Sequence, residues 1–273
     1  MLHLCFLLLA LWPQQQDKPL PDAKTFIDAF RQRLHRDSTL LSQYTYTEKE
    51  TRIRSGRLNK AETNVYQVIR TAGEEEPYRR HISKNGVPVS DKELEKQDRQ
   101  ERERIAKETR KSEPKRLQEK AKDDREEREL LDDVFALYDI QLVRREPVNG
   151  IPAILVTFKA KPNYQPKTRD GKILQHIAGQ AWIAEDDHEL SKLEAEVIDP
   201  ISIGAGILAK LQKGSTLVFE RRKINNEIWL PVRMEASLNG RILFKGLSMR
   251  AITEYSEHKK YSVDTILKFG EPR

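Results

Sequence analysis

The stretch from Ile228 to Tyr255 constrains this chain more than any other, because two alternating runs, Ile228–Leu238 and Arg241–Tyr255, meet at Asn239-Gly240. Asn-Gly is the dipeptide a two-residue type I′ turn prefers, since both central residues need positive φ. A turn there sets Leu238 opposite Arg241 and predicts the register that follows: Ala236 with Leu243, Val232 with Leu247, Leu230 with Met249, Ile228 with Ala251. Lys245 against Met234 is the lone interruption. Alternation places all of these on one side of the hairpin. Its other side, with Trp229, Pro231, Arg233, Glu235 and Ser237 against Arg250, Ser248, Gly246, Phe244 and Ile242, is mixed.

The same grammar recurs along the chain. Gln43–Arg54, Asn64–Thr71 and Pro77–Ser83 read as strands, with Ser55-Gly56 turning the first and Asn85-Gly86 ending the third. Tyr44 and Tyr46 fall on one face of the first. Ile140–Arg145 and Ile151–Ala160 flank Asn149-Gly150. Gly179–Ala184 and Leu190–Ile198 flank the polar run Glu185–Glu189, and Thr216–Ile224 precedes the final pair. Before them, Asp22 can cap a helix to about Arg36, on which Phe26, Ile27, Phe30 and Leu34 form an apolar stripe.

Residues 91–133 differ in kind, with 14 basic and 16 acidic side chains and few aliphatics. Glu, Lys and Arg at i and i+4 support solvated helices, and Pro114 should break or kink them. The expected architecture is α+β and mostly antiparallel: an unclosed, curved β-barrel with an N-terminal amphipathic helix and a charged helical insertion at about 91–133. So wide a sheet has more inner face than one short helix covers, and the remainder must be filled by loops, the insertion or a ligand.

The chain's 273 residues suffice for a substantial core, and a net charge of +6 admits acidic or anionic partners without requiring them. Leu2–Leu11 is apolar apart from His3, too short to span a bilayer but suited to the h-region of a secretory signal. Residues 1–16 are therefore expected to be a signal peptide, and residues 17–273 a single exported domain. No Lys or Arg precedes the apolar run, and a buried terminal strand or helix is the other reading. Cys5, the one cysteine, lies inside that segment, which leaves the mature chain no disulfide and no thiolate metal site.

Signatures of catalysis are missing from the sequence. The six histidines, at 3, 35, 81, 176, 188 and 258, include no pair at i,i+3 or i,i+4 and no His-Glu-x-x-His. Gly-x-Ser-x-Gly does not occur. Ile203-Gly204-Ala205-Gly206 lacks the third glycine and the βαβ setting of a dinucleotide loop, and reads as a bend or bulge. The acidic run Glu185–Glu189 could hold a hard cation but fits a hairpin turn better. Asp132-Asp133 ends a charged helix, where solvation accounts for it. Arg79-Arg80-His81 and Arg221-Arg222-Lys223 are basic clusters on strands, read as edge protection more than as a nucleic-acid site. The expectation is no enzyme, no metal and no cofactor.

The order of elements over roughly residues 22–256 resembles the LolA/LppX-like superfamily of periplasmic lipoprotein carriers. The resemblance is carried by Tyr44-Thr45-Tyr46-Thr47-Glu48 opening the sheet, Asn85-Gly86, and Asn149-Gly150-Ile151-Pro152. Gly179-Gln180-Ala181-Trp182-Ile183 before an acidic turn, and Trp229-Leu230-Pro231 opening the last hairpin, are the more telling pieces. It implies a helix-plugged open barrel that carries acyl chains and has no catalytic residue. The charged insertion departs from that pattern. Alternation alone, not the resemblance, nominates the apolar face: Tyr44, Tyr46, Ile228, Leu230, Val232, Met234, Leu243, Leu247 and Met249. Expected partners are a lipid or acylated lipoprotein held by a monomer in the periplasm, with peripheral membrane contact and no nucleic acid. A sensing or scaffold protein that engages an envelope protein through its charged helices is the alternative.

Overall fold

The computed structural model describes residues 18–34, 43–54, 60–69, 77–203, 209–242 and 245–260. The expected signal segment 1–16, with Cys5, lies outside them. So do Ser55-Gly56, Gly204-Ala205-Gly206 and Leu243.

Helix α1, Ala23–Arg33, begins where Asp22 accepts from the Thr25 amide at 2.9 Å. Next come β1 (Tyr44–Arg54), β2 (Lys60–Ile69), β3 (Tyr78–Lys84) and the two-residue β4 (Val87–Pro88). The insertion forms α2 (Asp91–Thr109) and α3 (Glu113–Leu137), and α3 runs four residues past the expected boundary. Pro114 does not kink a helix but sits in the first turn of α3, where its missing N–H has no partner to lose. After β5 (Tyr138–Arg145) and β6 (Ala153–Ala160) comes a short helix unseen in the sequence, α4 (Arg169–Leu174). The chain closes with β7 (Ile177–Ala184), β8 (Leu190–Val197), β9 (Ile201–Ile203), β10 (Ala209–Leu211), β11 (Thr216–Ile224), β12 (Ile228–Ile242) and β13 (Lys245–Lys260).

All pairings are antiparallel, in the order β4-β3-β2-β1-β13-β12-β11-β8-β7-β6-β5, and the sheet is not closed. It is the unclosed, curved barrel that the strand pattern implies. Asn85-Gly86 and Asn149-Gly150 both turn the chain with positive φ.

The final hairpin turns elsewhere. Gly240 pairs with Leu247 and Ile242 with Lys245, so the chain does not reverse at Asn239-Gly240. The expected partners are replaced: Leu238 faces Met249, Ala236 faces Ala251, and Met234 faces Thr253 rather than Lys245. Here β10 takes over the edge of β12 beyond its pairing with β11 and lays Leu211 against Gly240. A Cβ on Gly240 would fall on the Lys210 carbonyl oxygen. The glycine therefore permits a close backbone approach inside the sheet instead of a reversal. Because the partner shifts by eight positions, an even number, Met234, Ala236 and Leu238 keep their shared face, whereas a bulge between Pro231 and Arg233 breaks the alternation and puts Ile228 and Leu230 out of step with them. Gly240→Ala is expected to displace β10 and cost about 1–3 kcal/mol. An unchanged urea midpoint, with unchanged amide exchange at Lys210 and Leu211, would contradict this packing.

At the far edge, where β4 pairs only with Ser83 and Lys84, the remaining margin of β3 is closed by a side chain. Gln97 of α2 accepts from the His81 amide at 2.8 Å and donates to the His81 carbonyl at 3.1 Å, occupying the place of a neighbouring strand. Asp98 holds Arg80 by two hydrogen bonds, at 2.9 and 2.8 Å, and accepts from the Tyr78 hydroxyl.

Candidate binding face

Directly paired residues share a face, so the register can be followed from one edge of the sheet to the other. One row runs Leu142, Val156, Ala181, Leu193, Phe219, Met234, Thr253, Glu50, Asn64. The row beside it runs Ile140, Phe158, Gly179, Ala195, Leu217, Ala236, Ala251, Arg52, Glu62. Both rows change character at β13: they are apolar from β5 to β12 and largely polar or charged on β1 and β2.

Helix α1 covers the β5–β8 part. Phe26 is buried with Ile154, Val156, Ala181 and Ile183, and Ile27, Phe30, Ile140, Leu142, Phe158, Leu190 and Leu193 close around them. Next along the same face is a strip of half-buried apolar residues: Leu217 and Phe219 on β11, Met234, Ala236 and Leu238 on β12, and Leu247, Met249 and Ala251 on β13.

The nominated residues divide accordingly. Tyr44, Ile228 and Leu230 form a buried knot with Ile224. The Tyr44 hydroxyl donates to Glu227 and accepts from Asn225 Nδ2 at 2.9 Å, and burial followed by the Glu227 contact raises its pKa. Tyr46 lies edge-on to Tyr255 at 5.8 Å and beside His258 at 5.6 Å. Val232 is half-buried in the bulge of β12, and Met234, Leu247 and Met249 belong to the half-buried strip. Tyr44, Ile228 and Leu230 are core, and the last four are the residues a ligand could reach.

Sequence reasoning missed the polar end. Arg79 grips Glu48 through Nε at 3.1 Å and Nη2 at 2.5 Å, and its guanidinium lies 4.3 Å from the Tyr66 ring centroid. Tyr66 in turn stacks near His81 at 5.0 Å. Burial raises the Tyr255 pKa, and the nearby Glu48 charge adds to the shift. The signal was present in the alternation, since positions 44, 46, 48, 50, 52 and 54 read Tyr, Tyr, Glu, Glu, Arg, Arg on one face.

The acidic turn Glu185–Glu189 anchors its neighbours. Glu185 binds Arg145 at 2.8 Å, Asp187 accepts from Lys223 at 3.0 Å and from Trp229 Nε1 at 2.8 Å, and Glu189 binds Arg221 at 2.9 Å. Its carboxylates thus already have cationic partners. Among the described residues no group of three His, Cys, Asp or Glu is placed to hold a metal, and no helix is long and apolar enough to cross a membrane.

Asp133 differs from the solvated residue expected. It is 2% exposed and accepts from the Tyr164 hydroxyl at 2.8 Å, the Lys167 amide at 3.0 Å, and the Thr168 amide and hydroxyl at 2.8 and 2.6 Å. Burial pushes its pKa up, but these hydrogen bonds outweigh it and hold the carboxyl at about 2. Two grooves open elsewhere, one of about 520 Å³ lined by Pro200, Lys210, Gln212, Lys213 and Arg241. The other, of about 230 Å³, is lined by Glu146, Pro147, Val148, Asn149, Trp182, Lys192 and Glu220. Neither includes a nominated residue.

No protein-family model matches the chain, and no curated protein matches it. Solved structures do. A LolA superfamily protein, NE2245 from Nitrosomonas europaea, is 10% identical over 90% of this chain and 97% of its own, with a TM-score of 0.28. An outer membrane lipoprotein-sorting protein domain from Vibrio parahaemolyticus is 9% identical over 92% and 95%, with a TM-score of 0.38. A DUF1329 family protein from Desulfovibrio piger is 14% identical over 87% and 92%, with a TM-score of 0.31. The superfamily the sequence resembles is among them.

Proposed function

We propose that this chain is an exported, non-catalytic binding protein that holds the acyl chains of a lipid or lipoprotein on the apolar strip of its helix face. The observation that carries the reading is the set of half-buried aliphatic, aromatic and methionine side chains on β11, β12 and β13 beyond the cluster under α1. Apolar area removed from water contributes roughly 25 cal/mol per Å², so a chain lying along this strip gains affinity without any polar contact. Met234 and Met249 add deformable, polarisable surface suited to chains of varied shape. Carriage across a periplasm is the further role that the apolar N-terminal run and the superfamily resemblance support.

Leu247→Asp tests the strip directly. Leu247 is half-buried, so its carboxylate can stay hydrated and the fold should survive, while affinity for a fluorescent fatty-acyl probe falls at least tenfold. Wild-type affinity in a folded variant would remove the strip as the site. A second reading rests on the insertion: α2 buries no residue, and Asp133 and Leu137 are the buried residues of α3. Such exposed charged helices suit a protein partner in the envelope. Purification from a native envelope separates the readings, with extracted acyl species supporting the first and a stoichiometric protein with no lipid supporting the second.

A further inference from the structure

The larger groove, lined by Pro200, Lys210, Gln212, Lys213 and Arg241, gathers positive charge. Lys210 pairs directly with Arg241 across β10 and β12, so two cations stand side by side on one face of the sheet. Like charges placed directly opposite are destabilising. Ser202 flanks Lys210 and Gly246 flanks Arg241, so neither neighbour in the row is an acid, and Asn239 and Ser248, the next pair along this face, are neutral. Lys213 brings a third cation to the groove. Lys210 is half-buried, and among the described residues no carboxylate pairs with the Lys210 or Lys213 ammonium. Asp199, adjacent to Pro200 in sequence, is not among the lining residues. A Cβ on Gly246 would meet nothing within 4 Å, so the space beside Arg241 is open.

We propose that this groove binds a phosphate group, held by the Lys210 and Lys213 ammonium groups and the Arg241 guanidinium. The site lies on the face opposite the apolar strip, because Arg241 is an odd number of positions from Met234, Ala236 and Leu238 along an unbroken register. It is therefore independent of the acyl-chain reading. An anion between Lys210 and Arg241 turns a repelling cross-strand pair into charge-assisted hydrogen bonds, each roughly twice as strong as a neutral one. Phosphate is favoured over carboxylate because a monoester carries a charge of about −1.5 to −2 at pH 7 and three strong acceptor oxygens, which match three cations. A groove of about 520 Å³ also has room for the group that bears the phosphate, a soluble molecule or a lipid head.

Inorganic phosphate, titrated at constant ionic strength, is expected to give saturable amide chemical-shift changes at Lys210, Gln212, Lys213 and Arg241. Lys210→Gln should weaken this binding about tenfold, the worth of one charge-assisted contact. Lys115→Gln removes the same charge from an exposed position on α3 and should leave the binding unchanged, which separates the site from the general pull of a net charge of +6. Without phosphate, Lys210→Gln should have a urea midpoint no lower than the wild type's, because the repelling pair is gone. A lower midpoint would count against the repulsion on which the site rests. Phosphatidylcholine vesicles containing phosphatidic acid identify the bearer: competition with inorganic phosphate assigns the site to a lipid head, and unchanged phosphate binding assigns it to a soluble molecule. Absence of saturable shifts, or equal weakening by Lys210→Gln and Lys115→Gln, overturns the site and leaves the apolar strip untouched.

Discussion

Replacing Leu230 with Asp is expected to destroy the fold. Leu230 is 2% exposed and sits between Tyr44 and Ile228, where β12 passes the start of β1. Truncating such a side chain costs about 2–5 kcal/mol through lost burial and the cavity left behind. A carboxylate without a cation adds several more for desolvation. Against a total stability of about 5–15 kcal/mol, that sum leaves little or no folded protein at neutral pH. Any folded fraction should have a carboxyl pKa raised above its unfolded value, so the deficit must shrink as pH falls. A variant with a wild-type urea midpoint at pH 8 would place Leu230 outside the core. The contrast with Leu247→Asp is informative, because the same change should abolish folding at one site and only ligand binding at the other.

The second large effect belongs to Asp133. Asp133→Ala strands the backbone N–H groups of Lys167 and Thr168, each worth about 1–3 kcal/mol when buried without an acceptor, and a loss of about 3 kcal/mol is expected. The same carboxylate predicts an acid limb. Its pKa is lowered from 3.8 to about 2, so its contribution is complete above pH 4 and is lost as pH falls through about 2. Urea midpoints measured from pH 5 to pH 2 should fall for the wild type, and less steeply for Asp133→Ala. Parallel curves would show that Asp133 does not govern the limb. Gly171 belongs to the same arrangement, because a Cβ there would collide with Asp133 Oδ2.

What the sequence revealed depended on whether a residue's role was local. Asn85-Gly86 and Asn149-Gly150 need positive φ whatever surrounds them, and their turns could be read directly. Asn239-Gly240 has the same composition, but its glycine answers to β10, a three-residue strand too short to announce itself. From Met234 to Leu238 the face assignment survived that error, because alternation fixes parity before it fixes pairing, but the bulge between Pro231 and Arg233 broke it for Ile228 and Leu230. Asp133 could not be read at all: its donors lie 31 to 35 positions away, in a segment with no periodic pattern. The polar end of the binding face was legible in Glu48, Glu50 and Arg52 but hidden by attention to the tyrosines that precede them.

The Gln97 bridge to His81 has a consequence for association. A sheet that recruits further copies of itself needs two open margins, one to accept a neighbour and one to offer the next. Among the described residues, the main strand order ends at β5 on one side and at the two-residue β4 on the other, where a glutamine amide already takes the open margin of β3. A neighbour arriving on the β4 side meets two residues of strand and a glutamine already in place, so strand-to-strand extension is disfavoured there.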